Sequence, residues 1–311
     1  VVCILLTSCS NPVTSEESKE PPRDVTASWD GGSNVRLAWE ASEWGGETGY
    51  EVWRSARNRS DYVKLATLAK GERFYTDGGV EPARDYYYKV ATIYSDEAGK
   101  FGHEIFIFTG LWHSDRSLGK ILKLDMRDGR VVGSFPVPAV EVTDLAWDGA
   151  YLWYADGGNK RVCQFDPITR VVTKVFDAPG YDPHGVARAG AYLWLSSYWE
   201  GKIYKVDLRT GSVVNSYGAP GPQPHGMAYD GTYLWVSEWM NWSIYKIDPT
   251  NGTVKRQIIV GGAPEGLAWD GTYLWNACSS YNKIFKRDSN GSTISSFPAP
   301  GPEADGLEVQ R

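Results

Sequence analysis

Methionine and histidine are scarce in this chain, with three and four among 311 residues. No long stretch carries apolar residues at helical period, which argues against a helical bundle or an α/β fold. Basic residues form no stripe and the formal net charge is −6, which excludes nucleic acid as an expected partner. The four cysteines, Cys3, Cys9, Cys163 and Cys278, show no metal-type spacing. Neither a phosphate-cradling glycine loop nor a recognisable nucleophile arrangement occurs. Among apolar runs, the one at the start is far too short to span a bilayer.

What is present is aromatic and turn-rich: 14 Trp, 19 Tyr, 34 Gly and 17 Pro. Short apolar runs separated by Gly, Pro and Asp predict an all-β chain of many short strands, and the length allows two domains.

The opening "VVCILLTSCS" ends in Leu6-Thr7-Ser8-Cys9, which resembles the bacterial lipobox. In that motif the cysteine becomes the lipidated first residue of the mature protein. The resemblance implies a signal-peptide remnant over 1–8, a lipidated tether over 9–20, and a membrane partner through acyl chains on Cys9. It implies export to the bacterial cell envelope, lipid-anchored on its periplasmic or outer face. The Ser/Glu/Pro-rich stretch after Cys9 has too little apolar content for a core of its own.

Residues 21–109 alternate with period two in "NVRLAWEA", "GYEVWRSA", "DYVKLATL" and "DYYYKVATIY", with a turn signal every few residues. That pattern predicts a β-sandwich. Trp39 and "VEPARDYYYKV" resemble the fibronectin type III family, which implies a tyrosine corner at Tyr86 and core positions at Tyr88 and Val90. Ala83 stands where that family usually has glycine. The Arg-Gly-Asp tripeptide is absent, and the segment is read as a spacer.

From about residue 110 onward a Leu-Trp pair recurs, with tryptophans at 112, 153, 194, 235 and 275, in steps of 41, 41, 41 and 40. Four strand-like pieces return with each step, which is the signature of one propeller blade per repeat. Asp148-Gly149, Asp230-Gly231 and Asp270-Gly271 predict tight hairpins between first and second strands. The first unit lacks its own first strand, while the chain ends in an orphan copy, "DGLEVQR". We therefore expect 110–311 to form a five-bladed β-propeller closed by the C-terminal strand. The rival is a larger propeller that takes "HEIFIF" into a blade. In the five-bladed ring Cys163 and Cys278 would sit in blades that are not neighbours, so no disulfide is expected.

The residue before each "G-x-A" opens the innermost strand at the channel mouth. Around the ring it reads Thr143, His184, His225, Glu265 and Asp305. The surroundings repeat while these side chains vary. His184, His225, Glu265 and Asp305 are candidate ligands for a single divalent metal ion, or an acid/base cluster. Ordered water around polar mouth residues is the simpler alternative. The second-to-third loops share that face and supply candidate ligand-binding residues Tyr198, Trp199, Glu238, Trp239, Trp242 and Tyr281. The Leu-Trp tryptophans and Lys123, Lys205, Lys246 and Lys286 recur with the blade and are read as structural.

The repeats resemble NHL and YVTN-type bacterial propellers and the streptogramin B lyase family, whose axial histidine and magnesium site the "PHG" positions resemble. Plant-type glutaminyl cyclases share the blade number, but their active-site motifs are not found. Two functions stay open. One is a surface-anchored binding propeller that recognises a glycan, peptide or protein through its aromatic face. The alternative is a metal-assisted lyase or hydrolase with a His/His/Glu/Asp site at the axis.

Overall fold

The computed structural model describes residues 19–43, 45–56, 58–95 and 97–311. Cys9, the expected signal remnant and nearly all of the expected tether lie outside the described residues. Glu20, placed by sequence at the end of the tether, accepts hydrogen bonds on its carbonyl from Thr92 Oγ1 (2.8 Å) and Tyr94 Oη (3.1 Å).

Every described element is a strand apart from one 3₁₀ turn, Ser279–Tyr281. The N-terminal part holds β1 (Arg23–Trp29), β2 (Val35–Glu40), β3 (Gly49–Ala56), β4 (Val63–Ala69), β5 (Phe74–Asp77), β6 (Asp85–Tyr94), β7 (Glu97–Phe101) and β8 (Ile105–Phe108). They form a three-stranded sheet, β1-β2-β5, and a five-stranded sheet in which β8 pairs with β6. Trp39, Tyr50, Val52, Tyr88 and Val90 are buried between them, as alternation requires of inward positions. Tyr86 Oη accepts the amide of Glu81 (2.8 Å), the bond of a tyrosine corner. Ala83 has φ +58°, so an alanine carries the left-handed conformation that glycine usually supplies.

Five four-stranded antiparallel sheets follow. The first contains β9 (Leu111–Asp115), β10 (Lys120–Leu124), β11 (Val131–Pro136) and the last strand, β28 (Ala304–Val309). The second is β12 (Val142–Trp147), β13 (Leu152–Asp156), β14 (Arg161–Asp166) and β15 (Val171–Asp177); the third is β16 (Pro183–Ala189), β17 (Tyr192–Ser197), β18 (Lys202–Asp207) and β19 (Val213–Gly218). The fourth is β20 (Pro224–Tyr229), β21 (Leu234–Glu238), β22 (Ser243–Ile247) and β23 (Val254–Ile259); the fifth is β24 (Pro264–Trp269), β25 (Leu274–Cys278), β26 (Lys283–Arg287) and β27 (Thr293–Pro298). Strands β12, β16, β20, β24 and β28 each pack against the next, and β28 also packs against β12. These sheets resemble a β-propeller. β28 joins the sheet of Trp112, with Leu307 opposite His113 and Val309 opposite Leu111. "HEIFIF" belongs to the N-terminal sheet through β8, not to a blade.

Chemistry on the rim of the sheets repeats for a physical reason. Asp230 Oδ1 accepts the amides of Thr232 and Tyr233, tightening the turn, while its Oδ2 accepts Trp235 Nε1 (3.0 Å) and pairs with Lys246 Nζ (2.9 Å). Asp270, Trp275 and Lys286 repeat the arrangement, and Asp148 and Trp153 do so with Gln164 in the lysine's place. The lysine also lies over the ring, with Lys246 Nζ 4.9 Å from the centre of Trp235. One carboxylate thus satisfies the turn, the buried indole N–H and the ammonium together.

The first sheet has no such hairpin, because its innermost strand arrives from the far end of the chain. Its lysine, Lys123, instead reaches Asp85 of β6, with both carboxylate oxygens at 2.6 Å. β8 lies between the two parts and is buried on both faces. Ile105 and Ile107 enter the N-terminal core, while Phe106 and Phe108 pack edge-on against Trp112. Read from sequence as a spacer, the N-terminal part packs against the first sheet of the ring. Cys163 and Cys278 are buried and free, in the second and fifth sheets.

Candidate functional site

All five innermost strands slip register against their second strands at the same place, between residues 142 and 144, 183 and 186, 224 and 227, 264 and 267, and 304 and 307. A bulge re-aims the side chain it carries. Each bulge spans one of Thr143, His184, His225, Glu265 and Asp305. The residue after it is glycine in four of the five strands, and close strand approach requires this. A Cβ on Gly266 would lie 2.1 Å from the carbonyl oxygen of Asp305.

The four charged candidates meet at one cavity of about 480 Å³. His225 Nε2 lies 2.8 Å from Glu265 Oε2 and 2.9 Å from His184 Nδ1. His184 Nε2 faces Asp182 Oδ2 at 3.3 Å. These partners assign the proton of His184 to Nε2, so that its Nδ1 lone pair meets the N–H that His225 also directs at Glu265. Glu265 Oε1 accepts Ser279 Oγ (2.5 Å) and Trp239 Nε1 (3.2 Å). Asp305 Oδ2 accepts Arg116 Nε at 2.9 Å. Two buried atoms, His225 Nδ1 and Asp305 Oδ1, have no hydrogen-bond partner among the described residues and face each other at 3.7 Å. His225, Glu265 and Asp305 offer ligand atoms within 4.8 Å of one another, whereas His184 reaches the group only through His225. Thr143 stands apart, with its hydroxyl donating to the carbonyl of His184 (2.9 Å).

Burial and charge separate the titrations of these groups. Burial favours the neutral form of His225, but the carboxylates of Glu265 and Asp305 outweigh it and raise its pKa. Burial, joined by the neighbouring His225 charge, pushes His184 down to about 4. Burial opposes ionisation of Glu265, yet the His225 imidazolium and the Ser279 hydroxyl hold it down at about 2. For Asp305 burial prevails over the charges of His225 and Arg116 and pushes it up to about 7. The floor therefore holds an ionised carboxylate, a neutral imidazole, an imidazole whose charged form its carboxylate neighbours favour, and a carboxyl poised between forms. Such a set is able to bind a ligand by charge and to move a proton.

Tyr198, Trp199 and Trp239 line the cavity. Tyr198 stacks on His184 (4.7 Å) and meets Trp199 edge-on (4.8 Å). The other three expected ligand residues do not line it. Glu238 is fully buried and accepts the amides of Gln223 (2.9 Å) and Asn241 (2.6 Å). It occupies the position of Asp115 and Asp156, which likewise take loop amides of the adjoining connection, so its carboxylate belongs to the frame. Tyr281 donates to the carbonyl of Gly261 (2.6 Å), and Trp242 is exposed away from the cavity lining.

Arg116, Glu141, Asp182, Ser279 and Glu303 line the cavity without having been singled out by sequence. Arg116 sits in the loop "SDRSLGK", where no repeat position marks it. Asp144 was also missed, although it replaces the glycine of the other four strands. Its Oδ2 accepts the amides of Val186 (3.0 Å) and Met227 (2.9 Å), stitching three innermost strands at the axis. Burial raises its pKa well above the usual carboxylate range despite those bonds.

No family model matches the chain, and no curated protein matches it. Among solved structures it is similar to a glutaminyl cyclase of Myxococcus xanthus, at 13% identity and a TM-score of 0.48 over 54% of this chain and 80% of that one. A nidogen/laminin complex matches at 14% identity and a TM-score of 0.49, over 65% and 98% of the two chains. The Cps50 (Swd1) β-propeller domain of Myceliophteria thermophila matches at 14% identity and 0.42, over 64% and 86%.

Proposed function

We propose that the protein is a binding propeller whose ligand enters the axial cavity and lies against Tyr198, Trp199 and Trp239. In this reading the five four-stranded sheets are the blades of a complete five-bladed propeller over 110–311, and 21–109 is a fibronectin type III-like sandwich. The protein is held in the bacterial cell envelope by lipid on Cys9, and its ligand is a glycan, peptide or protein segment. The observation that carries the reading is the cavity itself. Three aromatic side chains from two neighbouring sheets converge over a buried polar floor, and Trp199 is left 65% exposed with an open face. Screening glycan and peptide arrays identifies the ligand. Trp199→Ala is expected to weaken the best hit by about tenfold, as loss of one aromatic platform does. A hit that binds the Trp199→Ala and Trp239→Ala variants unchanged would place binding elsewhere. Membrane partitioning of a Cys9→Ser precursor tests the anchor.

A second reading, a metal-assisted lyase or hydrolase, is favoured by one observation. His225 Nδ1 and Asp305 Oδ1 are buried, unpartnered and 3.7 Å apart, a separation that one ion can bridge. His225 and Asp305 would hold the ion with Glu265, and the ion would supply Lewis-acid polarisation of a bound carbonyl. Elemental analysis of protein purified without chelators decides this: about one divalent ion per chain supports it, and metal-free protein removes it.

A further inference from the structure

The cavity is polarised. Of its five carboxylates, Asp182 and Glu265 are committed to His184 and His225, and the other three, Glu141, Glu303 and Asp305, gather where the chain enters β12 and β28, neighbours in the ring. Its aromatic side comes from the third and fourth sheets, with Tyr198, Trp199 and Trp239. Arg116 is the one Arg or Lys in the lining and is committed to Asp305 Oδ2. Glu141 and Glu303 form no ion pair among the described residues. The remaining oxygen of Asp305, a residue only 3% exposed, has no hydrogen-bond partner among the described residues, with His225 Nδ1 facing it at 3.7 Å. A buried carboxylate oxygen without a donor is a costly arrangement unless something brings one.

We propose that the cavity recognises a primary ammonium group carried on a flat apolar body. The ammonium sits among Asp305, Glu141 and Glu303 and donates to the free Asp305 oxygen, while the body lies on the indoles of Trp199 and Trp239. This rests on the binding reading above and gives it a chemical class. An ammonium supplies three donors to carboxylates that have none to spare, and an aromatic wall favours both a cation and a planar body. A neutral ligand would leave Glu141 and Glu303 without an ionic partner, and an anion would meet five carboxylates against one committed guanidinium and the His225 imidazole, itself held by Glu265. The polarity also sets the ligand's direction, head toward β12 and β28, body toward β16 and β20.

The test uses three probes with one body and different heads: phenethylamine, phenethyl alcohol and phenylacetate, titrated by calorimetry into the full chain. Phenethylamine is expected to bind about tenfold more tightly than the alcohol, the usual worth of a charge-assisted hydrogen bond, and phenylacetate not at all. Asp305→Asn should remove that advantage, bringing the affinities of amine and alcohol together. Should Asp305→Asn fail to fold, Glu141→Gln and Glu303→Gln together test the same acidic side from a half-buried and an exposed position. A blocked Gly-Lys-Gly peptide in a parallel arm distinguishes a basic side chain from a free amine. Equal binding of amine and alcohol, or an amine affinity indifferent to these substitutions, overturns the proposal. Zinc chloride binding that depends on Asp305 without any amine binding overturns it in favour of an ion. The reading of a binding propeller fails separately, through array hits indifferent to Trp199 and Trp239.

Discussion

The rim and the mouth of the ring are built by the same strands and obey opposite rules. At the rim, aspartate, tryptophan and lysine recur as Asp230/Trp235/Lys246 and Asp270/Trp275/Lys286, and each polar atom finds a partner within its own sheet. At the mouth, equivalent positions carry Thr143, His184, His225, Glu265 and Asp305, whose partners come from neighbouring sheets or are missing. Repetition marks what the recurring hairpin needs in order to fold. Variation at a position whose surroundings repeat marks what the ring as a whole presents. Glu238 sharpens the contrast. It lies near the cavity and varies in type, yet it performs the loop-tying task of Asp115 and Asp156 and belongs to the frame.

The largest effect is expected from breaking the ring that both regions share. Removing residues 303–311 takes β28 from between β24, β12 and β9, exposing apolar faces of three sheets. The expected outcome is cooperative loss of folding or aggregation, read by thermal melting and size-exclusion chromatography. Unchanged melting would mean that closure of the ring is dispensable.

A rim substitution should cost less, and measurably. Asp230→Ala frees two turn amides and a buried indole N–H, and it strips Lys246 of its carboxylate. Urea denaturation is expected to show a loss of about 1–3 kcal/mol, the cost of leaving such groups unsatisfied. A loss within the noise would remove the aspartate from the frame.

At the mouth the sign should reverse. Burial raises the Asp305 pKa to about 7 in the folded chain, above its ordinary 3.8. A raised carboxyl pKa means that folding favours the protonated form. Its contribution is fully present below about pH 4 and is lost as pH rises through about 7. Asp305→Asn removes that penalty, so the variant should melt higher than the parent above neutral pH, with the gap closing toward about pH 4. A variant equally destabilised at every pH would place Asp305 with the frame.

The smallest effect on stability is expected at the exposed wall. Trp199→Ala should change the unfolding free energy by no more than about 0.5 kcal/mol, as surface substitutions do, while altering ligand affinity. A loss comparable to that of Asp230→Ala would make Trp199 a structural cover rather than a ligand platform.

Much of this was legible in the chain itself. The recurrence of Leu-Trp, the Asp-Gly pairs and the orphan terminal strand located the four-stranded sheets and the pairing of β28 with β9. Aligning the units placed His184, His225, Glu265 and Asp305 around one point, because equivalent positions in a ring face its axis. The same alignment contains Asp144, the one carboxylate in a column otherwise made of Gly185, Gly226, Gly266 and Gly306. Arg116 and Ser279 had no such mark, since they sit in loops whose lengths and contents differ between units.

Sequence by itself determined the strand count per unit, the turns and the residues each sheet buries, because those depend on contacts a few residues apart that the repeat spells out each time. Tertiary structure alone decided which loop side chains look inward, which carboxylates find donors, and that β8 belongs to two cores at once. These outcomes depend on groups brought together from distant units, such as Arg116 beside Asp305 or Lys123 beside Asp85, and no local pattern encodes such a meeting. The unpaired oxygen of Asp305 is the clearest case. Its chemistry follows from what the folded ring places near it, and from the partner it leaves out.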